Sequence, residues 1–264
     1  VKPEQAPKVK ELAVAEDVSL SVHGSYYVNL ASTDKQKWHA SIGRVAQAAK
    51  MGDACGARSV TFHSGFIQDK QLTEVFASVK EGMKEVLAEV KDLQIKISPE
   101  LTGKPSQFGD LGDLIRLTKE LREEGYANVG FCFDFAHKYA RSNGKFNTYD
   151  EFMQILTQIA EGLGDDFLGD MHIHVSGIEY SPKGERNHLL YLPTYGDYQA
   201  AGAEIDGMQQ LVAGMDPKRL QPNHFNWQDL FRALKKMNVG GYIVCESPIL
   251  ELDAVLMQNF YRGL

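Results

Sequence analysis

Histidines and carboxylates close nearly every apolar, strand-like run of this chain, always at its C-terminal end. In order they are His23 after VSLSV, His63 after SVTF and Glu100 after IKISP. Asp134 and His137 follow in FCFDFAH, then His172 and His174 in MHIHV, and Glu246 after IVC. Imidazole and carboxylate together make a nitrogen and oxygen donor set suited to several divalent metal ions. Taken alone, a histidine at a strand end is more often a hydrogen-bonded structural residue, Asp134 reads as a helix cap, and Glu100 as a surface carboxylate. Five of the eight histidines fall at such positions, which is a pattern and not a scatter. His39 on a helix and His224 in a loop read as structural or surface residues.

Such residues can meet only if the strand ends meet. A parallel α/β barrel gathers the C-terminal ends of its strands on one face, where enzymes of this build carry their chemistry. The pattern along the chain fits one. Helical stretches over residues 4–16, 34–53, 70–92, 110–125, 148–164, 226–238 and 250–262 alternate with strand-like runs at 18–24, 57–64, 93–98, 128–135, 167–175 and 240–247. Alternation of this kind implies parallel pairing through crossover helices. Side-chain alternation agrees with a barrel axis lined by small and polar groups. Ser19 and Ser21 share a face with His23, Ser59 and Thr61 with His63, Cys132 with Asp134, and Asp170 with His172 and His174. Glu246 departs from this, sharing its face with Tyr242 and Val244.

The expected fold class is therefore α/β, a (β/α)8 TIM-type barrel forming a single domain over residues 1–264. Only six strands are counted where eight close such a barrel, and the chain opens on a helix. The expectation is that the sequence holds the last six βα units, and that the first two, about 40 residues, precede Val1. The alternative is two strands overlooked within 176–225.

Composition narrows the class. Hydrophobic residues make up 43% and charged residues 24% of 264, as in soluble globular proteins. No apolar run reaches membrane-spanning length and no signal-peptide pattern opens the chain. Three cysteines, two of them inside strands, suggest a reduced, cytoplasmic protein. A net charge of −7 argues against bulk electrostatic coating of nucleic acid. Local cations remain available: Lys104, Lys138, Arg141, Lys145, Lys183 and Arg186 are all expected in loops that follow strands. No Ser-His-Asp set, Walker loop or dinucleotide fingerprint is present.

Seven segments in order then carry a resemblance: HGSYYVNLAS (23–32), FHSG (62–65), ELTGKPSQFG (100–109), CFDFAH (132–137), MHIHVSG (171–177), ERNH (185–188) and CESP (245–248). Together the chain resembles the endonuclease IV family of apurinic/apyrimidinic endonucleases, within the xylose-isomerase-like barrel superfamily. The resemblance implies up to three Zn2+ ions, with Mn2+ or Mg2+ as other candidates. By motif, His23 and His63 would bind the first ion and Glu100 would bridge the first and second. Asp134, His172 and Glu246 would complete the second site, and His137, Glu185 and His188 would hold the third.

Two departures stand out. The family has Asp-x-His where this chain has Glu185-Arg186-Asn187-His188, so either the loop is one residue longer or Asn187 takes the ligand position. His174 stands where the family usually has Asn, and would lie behind the ligands or add one. The implied activity is hydrolysis of the phosphodiester 5′ to abasic sites in double-stranded DNA by a metal-bridging hydroxide, with Glu100 the central catalytic ligand. Tyr26 and Tyr27 match the family's wedge residues, and Lys104, Arg141, Lys183 and Arg186 would contact phosphates. No obligate protein partner is implied. The chief alternative is a metal-dependent sugar isomerase or epimerase of the same superfamily, which would need only Glu100, Asp134, His172 and Glu246. A metal-bearing protein that binds damaged DNA without cutting is a third reading.

Overall fold

Helix signals in the sequence become helices because each has an apolar stripe and most have a cap. The computed structural model describes all residues, Val1–Leu264. Its elements are α1 (Ala6–Ala15), β1 (Ser21–His23), α2 (Lys35–Ala54), β2 (Ser59–Phe62), α3 (Leu72–Glu89), β3 (Lys96–Pro99), α4 (Leu111–Glu123), β4 (Cys132–Asp134), α5 (Phe135–Arg141), α6 (Tyr149–Leu163), α7 (Asp165–Leu168), β5 (Met171–Val175), β6 (Gly177–Ser181), β7 (Gly184–Leu189), α8 (Tyr195–Ala200), α9 (Met208–Ala213), α10 (Trp227–Lys236), β8 (Gly241–Cys245) and α11 (Leu250–Gly263). The chain forms two compact units, Val1–Thr102 with Ser106–Cys132, and Gly103–Pro105 with Phe133–Leu264.

In the first unit β1, β2 and β3 pair in parallel in that order. The register sets Ser21 beside Ser59, His23 beside Thr61, and Phe62 beside Pro99, so the three C-terminal ends come level. Asp34 caps α2 by accepting from the backbone N–H groups of Gln36 and Lys37 at 2.9 and 3.2 Å. That helix lies close on the sheet at Gly52, where a Cβ would come within 2.7 Å of Ile95 and 2.9 Å of Val22. Leu111, Leu114, Leu117 and Leu121 form the buried face of α4 at helical spacing.

In the second unit the parallel order is β4-β5-β8, with His172 beside Tyr242 and His174 beside Val244. Helix α6 opens with a reciprocal capping box between Thr148 and Glu151. Helix α10 buries Trp227, Leu230, Phe231 and Leu234. Cys55, Cys132 and Cys245 are buried and unbridged. No helix is long and apolar enough to cross a membrane.

Two readings from sequence need correction. The stretch 181–189, SPKGERNHL, taken as loop, is the turn and second strand of an antiparallel hairpin of β6 and β7. The hairpin's two strands are not parallel members of the sheets, so the parallel count stays at six. The cations expected in loops are also more varied in setting: Lys138 and Arg141 belong to α5 and Arg186 to β7.

Candidate metal centre

Parallel register builds the first cluster. His23 ends β1, His63 follows β2 and Glu100 follows β3. The Glu100 N–H donates to the Phe62 carbonyl at 2.9 Å, fixing its backbone beside His63. The fully buried Glu100 carboxylate lies 3.2 Å from His23 Nε2 and 3.6 Å from His63 Nε2, both measured to Oε2. His23 Nδ1 lies 2.8 Å from the Gly24 carbonyl. A carbonyl only accepts, so Nδ1 carries a proton, and Nε2 meets the carboxylate either as a second N–H donor or across a shared ion. Tyr26 covers the pair, its ring 5.0 Å from that of His23 and 5.9 Å from that of His63. Both tyrosines are exposed, Tyr26 at 75% and Tyr27 at 81%.

The second unit carries the remaining candidates. Asp134 does cap a helix: it accepts the His137 N–H of α5 at 2.7 Å, and its other oxygen lies 3.3 Å from His137 Nδ1. His137 Nε2 lies 3.6 Å from Glu185 Oε2, and His188 Nε2 lies 3.8 Å from Glu185 Oε1. Three residues apart in a regular strand, Glu185 and His188 would point to opposite faces. Here β7 carries a bulge. Asn187 opposes Glu179 and Glu185 opposes Tyr180, leaving Arg186 as the extra residue. Asn187 turns away and donates to Glu179 at 2.7 Å, while His188 joins His137. His188 repeats the pattern of His23, with Nδ1 2.7 Å from the Glu246 carbonyl and Nε2 toward a carboxylate.

Space at this cluster depends on Gly103. A Cβ there would fall 2.6 Å from Glu185 Cβ and 2.9 Å from His137 Cδ2, and the Gly103 carbonyl accepts the Glu185 N–H at 2.9 Å. On β5 the two histidine rings touch through their Nε2 atoms at 3.0 Å. His174 Nδ1 lies 3.1 Å from Glu246 Oε1. Ligand atoms of Asp134, His174 and Glu246 lie within 4.8 Å of one another, as do those of His137, His188 and Glu246. Tyr242, the residue that broke the alternation in the sequence, stacks on His172 with centroids 4.6 Å apart.

The donor chemistry fits divalent cations bound through nitrogen and oxygen. Burial pushes the Cys245 thiol up to about 12, with Asp253 and Glu246 adding repulsion, so this neighbour of Glu246 stays a neutral thiol.

Around the candidates, the expected phosphate contacts are unequal. Arg141 donates to the Lys104 carbonyl at 2.6 Å, Arg186 pairs with Glu179 at 3.0 Å, and Lys183 is exposed in the β6–β7 turn. Lys138 is buried against the Phe146 ring at 4.5 Å. His39 lies on α2, 3.9 Å from Glu85, and the His224 carbonyl accepts from Asn147. Sequence reasoning missed Arg219. It donates to the His188 carbonyl at 2.7 Å and lines, with Glu185, His188, Asp216 and Glu246, a polar cavity of about 580 Å³. Thirty-one positions from His188, in a segment without clear periodicity, it leaves no local signal.

An uncharacterised protein of Methanocaldococcus jannaschii is 34% identical over 266 residues, covering all of this chain and 84% of its own length. A probable endonuclease 4 of Mycoplasma pneumoniae is 26% identical over 170 residues, covering 64% of this chain and 57% of that protein. Among solved structures, a D-tagatose 3-epimerase-like protein aligns with a TM-score of 0.65 at 16% identity, over 99% of this chain and 82% of the other. Endonuclease IV from Thermus thermophilus aligns with a TM-score of 0.63 at 18% identity, over the same two shares. The family model for the xylose isomerase-like TIM barrel matches residues 1–260, and the chain belongs to that family.

Proposed function

We propose that this protein is a metal-dependent endonuclease that hydrolyses the phosphodiester 5′ to abasic sites in double-stranded DNA. The observation that carries the reading is the bulged placement of Glu185 and His188 beside His137. A two-ion sugar isomerase has no use for that set, nor for His23 and His63 around Glu100. In the assignment taken from the family resemblance, His23, His63 and Glu100 would hold one ion, Asp134, His172 and Glu246 would serve a second, and His137, Glu185 and His188 would hold a third. Bound ions would acidify a water and offset charge on the phosphodiester and its departing oxygen.

The protein's own groups orient and exclude. The Gly24 and Glu246 carbonyls fix the tautomers of His23 and His188, so each ring presents Nε2 as the donor. Tyr26 packs on the histidine pair, and Tyr27, more exposed, is the one available to enter a base stack at a lesion. Lys104, Arg141, Lys183 and Arg186 contact backbone phosphates, a local basic face on a chain of net charge −7.

One observation favours a second reading, a metal-dependent sugar epimerase: epimerases are among the solved structures of similar fold. Replacing Glu185 by Gln separates the two. On the nuclease reading, incision of an abasic duplex falls at least a hundredfold. Unchanged incision, or a ketohexose epimerised equally well by wild type and variant, contradicts it.

A further inference from the structure

We propose that His174 is an added nitrogen ligand to the ion held by Glu246, and that it biases this site toward zinc over manganese or magnesium. The inference rests on the metal-dependent reading of the centre, but not on what the enzyme cuts.

His174 is buried in the middle of β5, one side-chain layer beyond His172 on the same face. Its register partner on β8 is Val244, and Glu246 follows two residues on, its N–H donating to the Val175 carbonyl at 2.9 Å. His172, His174, Tyr242 and Glu246 therefore share one face of the two strands. His174 Nδ1 lies 3.1 Å from Glu246 Oε1, so Nδ1 is the ring nitrogen that faces the carboxylate. Nε2 in turn lies 3.0 Å from His172 Nε2, with the ring planes at 74°.

Two ligand atoms bound to one tetrahedral zinc at about 2.0–2.1 Å stand roughly 3.3 Å apart. The 3.1 Å between His174 Nδ1 and Glu246 Oε1 is near that edge. Carboxylates from Asp134 and Glu246 converge on the same imidazole, within 4.8 Å. An ordinary hydrogen bond between the two histidines accounts for the 3.0 Å contact alone, and not for the convergence of both carboxylates. Exchanging an oxygen-rich set for one with a second imidazole favours zinc over the harder ions.

Metal binding tests this directly, on the full chain stripped of metal and titrated with zinc or manganese against a chelating indicator. In His174→Asn, one zinc per chain should bind 10- to 100-fold more weakly, with manganese affinity changed less than threefold. His174→Gln serves as a second variant, and far-ultraviolet circular dichroism checks the fold of both. The cobalt-loaded wild type should show a visible absorption band that weakens in the variants. Zinc affinity and cobalt spectra matching wild type in a folded variant overturn the proposal. A wild type that fails to cut abasic DNA, yet loses a zinc site on His174→Asn, overturns the nuclease reading and leaves this one standing.

Discussion

Glu185 and His188 lie on the same face of β7 although three residues separate them, because Arg186 is taken up as the extra residue of a β-bulge. The bulge does the work of the shorter Asp-x-His spacing: it cancels one residue, so that both side chains reach His137. Deleting Arg186 should then straighten the strand and leave Glu185 and His188 two positions apart, still on one face. The variant should retain the metal content of wild type by elemental analysis and lose only the phosphate contact of Arg186. Loss of an ion would show that the bulge is not what aligns the pair.

Gly103→Ala tests the room left for the same cluster. The new methyl would meet Glu185 and His137 well inside contact distance. Relief requires moving one of them, at a cost of about 1–3 kcal/mol. The expected outcome is a lower melting temperature together with the loss of one ion per chain. A variant with unchanged metal content places the Glu185 side chain elsewhere.

Tyr26 and Tyr27 should separate. Tyr27→Ala is expected to weaken binding to an abasic duplex by about 5- to 100-fold, the worth of one stacking contact, with metal content untouched. Tyr26→Ala uncovers His23 and His63, and should speed zinc loss to a chelator. Equal effects of both on DNA binding, with no effect of either on zinc release, would contradict the division of roles.

Asp253 gives a pH signature independent of metal. Burial pushes its carboxyl up to about 6 from 3.8, against the opposing help of Ser247, Tyr198 and the Tyr191 N–H. The folded state thus holds this proton more tightly than the unfolded chain does. Its stabilising effect is complete below about pH 4 and is lost as pH rises through about 6, a change of about 3 kcal/mol. The difference in unfolding free energy between wild type and Asp253→Asn should fall between pH 4 and 6 and be flat above 7. A difference independent of pH would place the ionised form of Asp253 at no cost.

The seven longer helices and the six parallel strands were legible because their periodicity is local and strong, as in α4 with its four spaced leucines, whereas the short helices α5, α7, α8 and α9 were not. The strand-end placement of these residues was legible too, since a histidine or carboxylate at the end of an apolar run needs no distant information. The hairpin of β6 and β7 was not. Its residues are polar and its pairing is antiparallel inside a parallel fold, so GERNH reads as a solvated turn. Nor could the spacing in that hairpin be interpreted, because a bulge is a property of two strands together. Glu246 looked anomalous for a similar reason: Tyr242 shares its face to stack on His172, a contact across strands far apart in sequence. Arg219 was invisible because its hydrogen bonds beside the site run to the main chain: it donates to the His188 carbonyl, and its own carbonyl accepts the Leu190 N–H.

The central claim is tested most directly by incubating the zinc-loaded chain with an end-labelled duplex bearing a single abasic site. The account predicts one incision, immediately 5′ to the lesion, leaving a 3′-hydroxyl, abolished by chelation and restored by zinc. An intact duplex under those conditions, with turnover of a ketohexose instead, would contradict it.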